Sequence, residues 1–285
     1  MPLTAVMTSS LTPTLLCAAA MAVACATLSV FVVVRRWAFI GEGIAHSGFG
    51  GAGTAWMLAL LFPSLDGPEM QWLPYAGVVV FCLLTAVGIG AVTRRGLTGG
   101  DTAIGIFMVA SVAWGFVAQS AYASHRGAVP HGWETFLFGN FLSIDFPFAL
   151  VATFLSVAVV STVGLLGKEI LAYCFDPATA EAAGVRATFV HYLLILLVTL
   201  TIIIGSRVVG SVLVTALLVL PGATALALSQ RLKTAIAGAI ALGLVAAVAG
   251  VLLNRGIPYL PPGPAIVLVL FAAFLVSVVL RRVRT

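Results

Sequence analysis

Nine apolar runs of about twenty residues follow one another along the chain, at about 14–34, 38–62, 73–92, 102–122, 147–167, 188–205, 208–229, 234–253 and 264–280. A helix crosses the roughly 30 Å hydrocarbon layer of a bilayer in about 20 apolar residues, so this succession prescribes an all-α, polytopic membrane protein. Composition excludes the soluble alternative. Of 285 residues, 61% are hydrophobic and 8% charged, at a mean hydropathy of +1.18. The expected count is about nine spans, or eight if the first does not cross fully. The second run is the weakest, because it contains many glycines and an acid.

The charges orient the bundle. With the N-terminus outside, Arg35, Arg36, Arg94, Arg95, Lys168, Arg186, Arg231, Lys233, Arg281, Arg282 and Arg284 fall on the cytoplasmic side, against Arg126, Arg207 and Arg255 outside. The positive-inside rule is thus obeyed by eleven of the fourteen basic residues, and it explains the net charge of +5 without an anionic partner or nucleic acid. In the first run the arginines follow the apolar core, which reads as a retained span and not a cleaved signal. Cys17, Cys25, Cys82 and Cys174 stand singly in or beside apolar runs and read as small buried hydrophobes.

One run carries ionisable groups at membrane depth. In Trp37 to Leu58, Glu42 and His46 are four residues apart and share a helix face, amid Gly41, Gly43, Gly48, Gly50, Gly51 and Gly53. Such glycine density weakens a helix and favours close backbone approach or a broken helix. A carboxylate and an imidazole at this spacing suit a divalent cation such as Zn, Mn or Fe(II), and an acid inside a span is costly enough to suggest function. A buried Glu–His hydrogen bond is the structural alternative. Two ligands hold an ion poorly, whereas two copies meeting about a two-fold axis would supply four.

Other polar positions read more simply. Asp101 reads as an N-cap of the fourth span. His125, His131, Glu134 and Asp145 read as solvated residues of an outer segment, and His191 as an interfacial side chain at the start of the sixth span. Pro221 marks a kink, serving as hinge or packing. In the inner segment 168–187, Asp176 and Pro177 form a helix start and Gly184 a stop, outlining a short surface helix of the kind that docks a partner. The second and seventh runs are loosely alike, but there is no strong internal repeat. The absence of G-x-x-x-x-G-K-[ST] and H-E-x-x-H leaves no P-loop and no zinc-protease motif, so ATP-driven work needs another subunit.

Several stretches in order resemble the membrane permeases of metal-uptake ABC transporters, the ABC-3 group: RRWAFIGEGIAHSGFGG, DTAIGIFMVAS, FLFGN, FDPATAEAAGV, VVGSVLVTALLVLPGATA and PPGPAIVLVLFAAFLVS. The resemblance implies a non-enzymatic permease with a type II ABC importer-like helical bundle, residues 1–285 forming one domain in the bacterial cytoplasmic membrane. It implies transport of Zn, Mn or Fe by alternating access, with no cofactor bound by this chain. The implied partners are an ABC ATPase subunit, an extracytoplasmic metal-binding protein and a second permease, identical or paired. It maps the metal ligands to Glu42 and His46, and the ATPase-coupling element to Phe175, Asp176, Pro177, Glu181 and Gly184. Glu42 stands where the family usually has Asp, and Ala45 where it has Ser. Two other readings stay open: an ABC permease for a siderophore or cobalamin-like ligand, and a secondary transporter in which Glu42 carries a proton. An intramembrane enzyme would lack a nucleophile–base pair.

Overall fold

A computed structural model describes residues 3–62, 72–127, 146–229, 231–256 and 261–284. Every regular element among them is a helix: α1 Leu3–Val34, α2 Ile40–Leu61, α3 Leu73–Arg94, α4 Gly100–Arg126, α5 Phe146–Phe175, α6 Pro177–Ala182, α7 Ala187–Val209, α8 Ser211–Leu228, α9 Leu232–Gly256 and α10 Pro262–Arg284. Eight of these are long and apolar enough to cross a membrane. The first run is among them, as Leu15–Val34. The long helix not among them is α2, which carries Glu42, His46 and six glycines.

The bundle has two bodies joined by α7 and by contact of α2 with α8. In one, α2 packs on α3 and α4; in the other, α1 packs on α5, α8 and α9, with α10 against α8 and α9, while α7 touches α3, α5 and α8. The central helix is α1, with 78% of its span buried, against 22% for α10. The outer helices instead turn Leu, Val and Phe outward, as a lipid-facing surface requires: Leu84, Val109, Phe154 and Leu165 are all exposed.

Despite its six glycines, α2 is one continuous helix. In hydrocarbon an unpaired backbone group costs several kcal/mol, far more than the roughly 1 kcal/mol a glycine loses to alanine in a helix. The glycines serve contact instead. A Cβ on Gly51 would stand 2.4 Å from the carbonyl oxygen of Gly77 on α3, so the two backbones touch. Packing at that distance replaces the hydrophobic drive that lipid does not supply. A second such crossing joins α8 to α1, where a Cβ on Gly222 would meet Ser29 backbone at 2.5 Å. The adjacent Pro221 is buried inside a helix that runs through it, which places the proline in packing.

Three sequence expectations change. The fifth span does not end near 167, because α5 continues as helix to Phe175 and, at about 1.5 Å per residue, outruns the membrane. Asp101 is not an N-cap: Gly99 holds that position, and Asp101 is exposed in the first turn of α4. His191 stands near a span end but is enclosed by protein, being 2% exposed. The four cysteines are free and buried, as expected.

Candidate metal centre and coupling segment

Glu42 lies in the first turn of α2, where the unpaired N–H groups and the helix dipole favour a carboxylate. His46, one turn later, places Nε2 2.6 Å from Glu42 Oε1. Its ring stacks on Phe49, with centroids 5.7 Å apart. The second carboxylate oxygen, Oε2, lies 3.2 Å from the Thr215 hydroxyl on α8, which also reaches Ser211 O at 3.0 Å. Gly41 makes room for this contact, since a Cβ there would come within 3.0 Å of Thr215 Oγ1. Both ionisable side chains keep part of their surface open, 23% for His46 and 31% for Glu42.

The pair sits between the two ends of the bundle. One end gathers Arg35, Gly90, Tyr173 and His191, where α1, α3 and α5 finish and α7 begins. The other is marked by Arg207, whose guanidinium lies over Tyr75 at 4.5 Å and Phe148 at 4.9 Å, joining the last turn of α7 to the first turns of α3 and α5. Helix α2 enters from the first end and α8 from the second, so contact between their N-terminal turns places Glu42 away from both rims.

Chemically, the pair is a bidentate fragment. Two donors on one transition-metal ion at bond lengths of about 2.1 Å stand roughly 3 Å apart, so a small opening of the Glu42–His46 bond admits an ion. Among the described residues, no group of three His, Cys, Asp or Glu could hold a metal. Thr215 is the neighbour that sequence reading missed. Its only signal is a hydroxyl in the apolar run VVGSVLVTALLVLPGATA.

The short helix α6 has its expected ends. Asp176 is its N-cap, accepting from Ala178 N at 3.0 Å and from the Thr179 hydroxyl, and Pro177 occupies the first turn. At the other end Gly184, with φ of +88°, donates to Glu181 O, while Val185 N reaches back to Ala180 O, both at 3.0 Å. These two bonds form a Schellman stop. Only Ala180 of α6 turns into the bundle, while Phe175, Asp176, Glu181 and Gly184 are exposed. Beside them lies an open groove of about 760 Å³, lined by Glu181, Val185, Phe189, Tyr192 and Leu196.

The Thr179 hydroxyl and then the Ala178 N–H hold the Asp176 carboxyl below the usual carboxylate range. A depressed value means that the cap contributes above the ordinary carboxylate pKa and is lost as pH falls through the lowered one. At neutral pH it is fully present. Asp176→Ala is therefore expected to speed limited proteolysis within 177–184, while Asp176→Asn, which keeps an acceptor, leaves the rate near wild type.

His125, in the last turn of α4, is exposed and bonds locally to Ala121 O at 2.9 Å, in keeping with a solvated role. His131, Glu134, Asp145 and the FLFGN stretch lie outside the described residues.

The sequence pattern of the ABC 3 transport family matches residues 7–281. The chain belongs to that family. It is similar to the manganese transport system membrane protein MntC of Listeria monocytogenes, 32% identical over 247 residues that cover 87% of this chain and 82% of that one. A probable iron transport system membrane protein of Haemophilus influenzae is 29% identical over 270 residues, 95% and 93% of the two chains. Among solved structures, PsaBC from Streptococcus pneumoniae in complex with Fab superposes with a TM-score of 0.73 at 26% identity, covering 94% of this chain and 90% of that one. As an ABC 3 member with eight apolar helices, the chain is a multi-pass membrane transport protein.

Proposed function

We propose that this ABC 3 chain is the permease subunit of an ABC importer that carries a divalent transition metal, Mn, Fe or Zn, through alternating access driven by ATP hydrolysis in a separate subunit. The observation that carries this reading is the Glu42–His46 pair, an acid and an imidazole 2.6 Å apart on a glycine-packed helix, partly open and supported by Thr215. Relatives named for manganese and iron transport support the cargo class. Mixed oxygen and nitrogen ligands suit these metals better than Mg or Ca.

In this reading residues 1–285 work as one permease domain. Glu42 and His46 bind the ion in passage, and a second permease, identical or paired, brings a matching pair to complete its coordination. An extracytoplasmic metal-binding protein delivers the ion. The exposed coupling segment, with Phe175, Asp176, Pro177, Glu181 and Gly184, receives the ATPase within segment 168–187. The rigidly capped α6 is well suited to this, because a short helix held at both ends transmits displacement without fraying.

The test is metal-resolved uptake by proteoliposomes that hold the permease with its ATPase and binding protein, offered Mn, Fe(II), Zn, Mg and Ca together. ATP-dependent accumulation of one transition metal and exclusion of Mg and Ca is expected. Uptake without the ATPase that stops when a proton gradient is dissipated would replace this reading by secondary transport. Uptake of a chelate with no free-metal uptake would replace it by a siderophore-type permease.

A further inference from the structure

A buried chain of hydrogen bonds lies at the base of the coupling segment. Tyr173, in the last turn of α5, and His191, in the second turn of α7, bracket α6 in sequence and are hydrogen-bonded through Tyr173 Oη and His191 Nδ1. His191 Nε2 lies 2.9 Å from the carbonyl oxygen of Gly90 near the end of α3. Arg35, in the α1–α2 connection, donates from Nη2 to Tyr173 Oη at 3.0 Å, and its guanidinium covers the rings of Tyr173 at 4.5 Å and Trp37 at 5.3 Å. Trp37 closes the cluster with its ring edge-on to His191, centroids 5.7 Å apart. Trp37, Tyr173 and His191 are 2%, 4% and 2% exposed.

The direction of each bond follows from its partners. A carbonyl only accepts, so Nε2 carries the proton toward Gly90. In a neutral ring Nδ1 then accepts, Tyr173 donates to it, and the phenolic oxygen is left to accept from Arg35. Every group in this chain has one role, so displacing one end disturbs the next. Gly90 shares in the fit: a Cβ there would come within 3.0 Å of Tyr192 and 3.3 Å of His191 Nε2.

The mechanical consequence comes from what each residue is attached to. Tyr173 stands three residues before the α6 cap Asp176, and His191 follows the Gly184 stop, so their bond closes the hairpin that presents α6. Arg35 and Trp37 stand immediately before α2, where Trp37 O accepts from Ile40 N at 3.0 Å, and Glu42 follows in the same turn. The coupling segment and the helix bearing Glu42 and His46 are therefore fastened to one buried knot.

We propose that Tyr173 and His191 are positioning residues that pass movement of the α6 hairpin through Arg35 and Trp37 to α2. Their hydrogen bonds run to Arg35, Gly90 and each other, and the inference rests on the ATP-driven permease reading above. Tyr173→Phe removes one hydroxyl and keeps the ring packing, leaving His191 Nδ1 and an Arg35 N–H without their partner.

In proteoliposomes of the full complex, metal uptake and ATP hydrolysis are measured together, with equilibrium Mn(II) binding to the detergent-solubilised complex as a control. For Tyr173→Phe, uptake per ATP is expected to fall about fivefold or more. Co-purification of the ATPase and Mn(II) affinity should stay at wild-type values. His191→Asn, which keeps a polar group near Nδ1 but does not reach Gly90, is expected to lie between wild type and Tyr173→Phe. An unchanged uptake-per-ATP ratio in both variants would overturn the proposal, as would equal losses of uptake and hydrolysis, which mark a merely structural role. No ATP-dependent uptake in the wild-type complex would overturn the permease reading itself, and this inference with it.

Discussion

Replacing Glu42 by Gln is expected to reduce metal uptake by more than the roughly 10–100-fold that loss of a residue supporting a metal ligand costs, without loss of the folded bundle. The amide keeps the shape of the carboxylate but loses its charge, and it cannot offer an anionic oxygen to the ion or to the His46 N–H 2.6 Å away. His46→Ala should have an effect of the same order, and the double variant little more, because the two donors act on one ion. Thr215→Val tests the support alone. Losing the hydroxyl 3.2 Å from Oε2 should lower uptake about tenfold while leaving metal selectivity in place. Glu42→Asp withdraws the carboxylate by one methylene, and is expected to change the ratio of Mn to Fe uptake more than the total. A metal ligand must give up its proton to bind an ion, so uptake should be weaker at about pH 5 than at about pH 8. Radiometal uptake in proteoliposomes across that range checks each point. Wild-type uptake by the Glu42→Gln, His46→Ala double variant would remove the ion from this site.

The largest stability effect is expected at Gly51. A Cβ would stand 2.4 Å from Gly77 O, 2.7 Å from Val78 Cα and 2.8 Å from Gly77 C, and all three atoms are backbone. No side chain is free to rotate away, so α2 and α3 must separate. Gly51→Ala should cost about 1–3 kcal/mol, the usual range for overpacking, and Gly51→Val more, because its branch adds volume where the helices touch. Gly48→Ala is the control: its Cβ would meet only Val78 Cγ1, at 3.4 Å, an ordinary contact. Thermal unfolding in detergent should rank Gly48→Ala near wild type, Gly51→Ala below it and Gly51→Val lowest. Equal melting temperatures for all three would mean that α2 and α3 do not meet as described.

Much of this protein is determined one-dimensionally. The runs of apolar residues, the spacing of the arginines along the chain, the Asp176–Pro177 start and the Gly184 stop are local or additive signals. Hydrocarbon thickness, loop charge and helix capping each act on a short stretch, so each can be read without knowing what lies opposite. The i, i+4 relation of Glu42 and His46 is of the same kind, since helical geometry alone brings them together.

Other features depend on residues far apart in sequence. Glu42 and Thr215 are 173 positions apart, and a lone threonine in an apolar span has no pattern that names its partner. His191 looked interfacial by its place near a span end, yet Tyr173, Gly90 and Trp37, from three other parts of the chain, enclose it. The glycines of α2 could equally have broken the helix or brought it close to its neighbours. The choice fell to backbone approach at Gly77, together with a solvent that punishes unpaired amides. Sequence by itself thus determined that the chain spans a membrane and where its acid and histidine pair. Only the tertiary structure decided which hydroxyl supports that pair and which residues enclose His191, because those answers are contacts between helices, and no local periodicity records which helix comes to lie beside which.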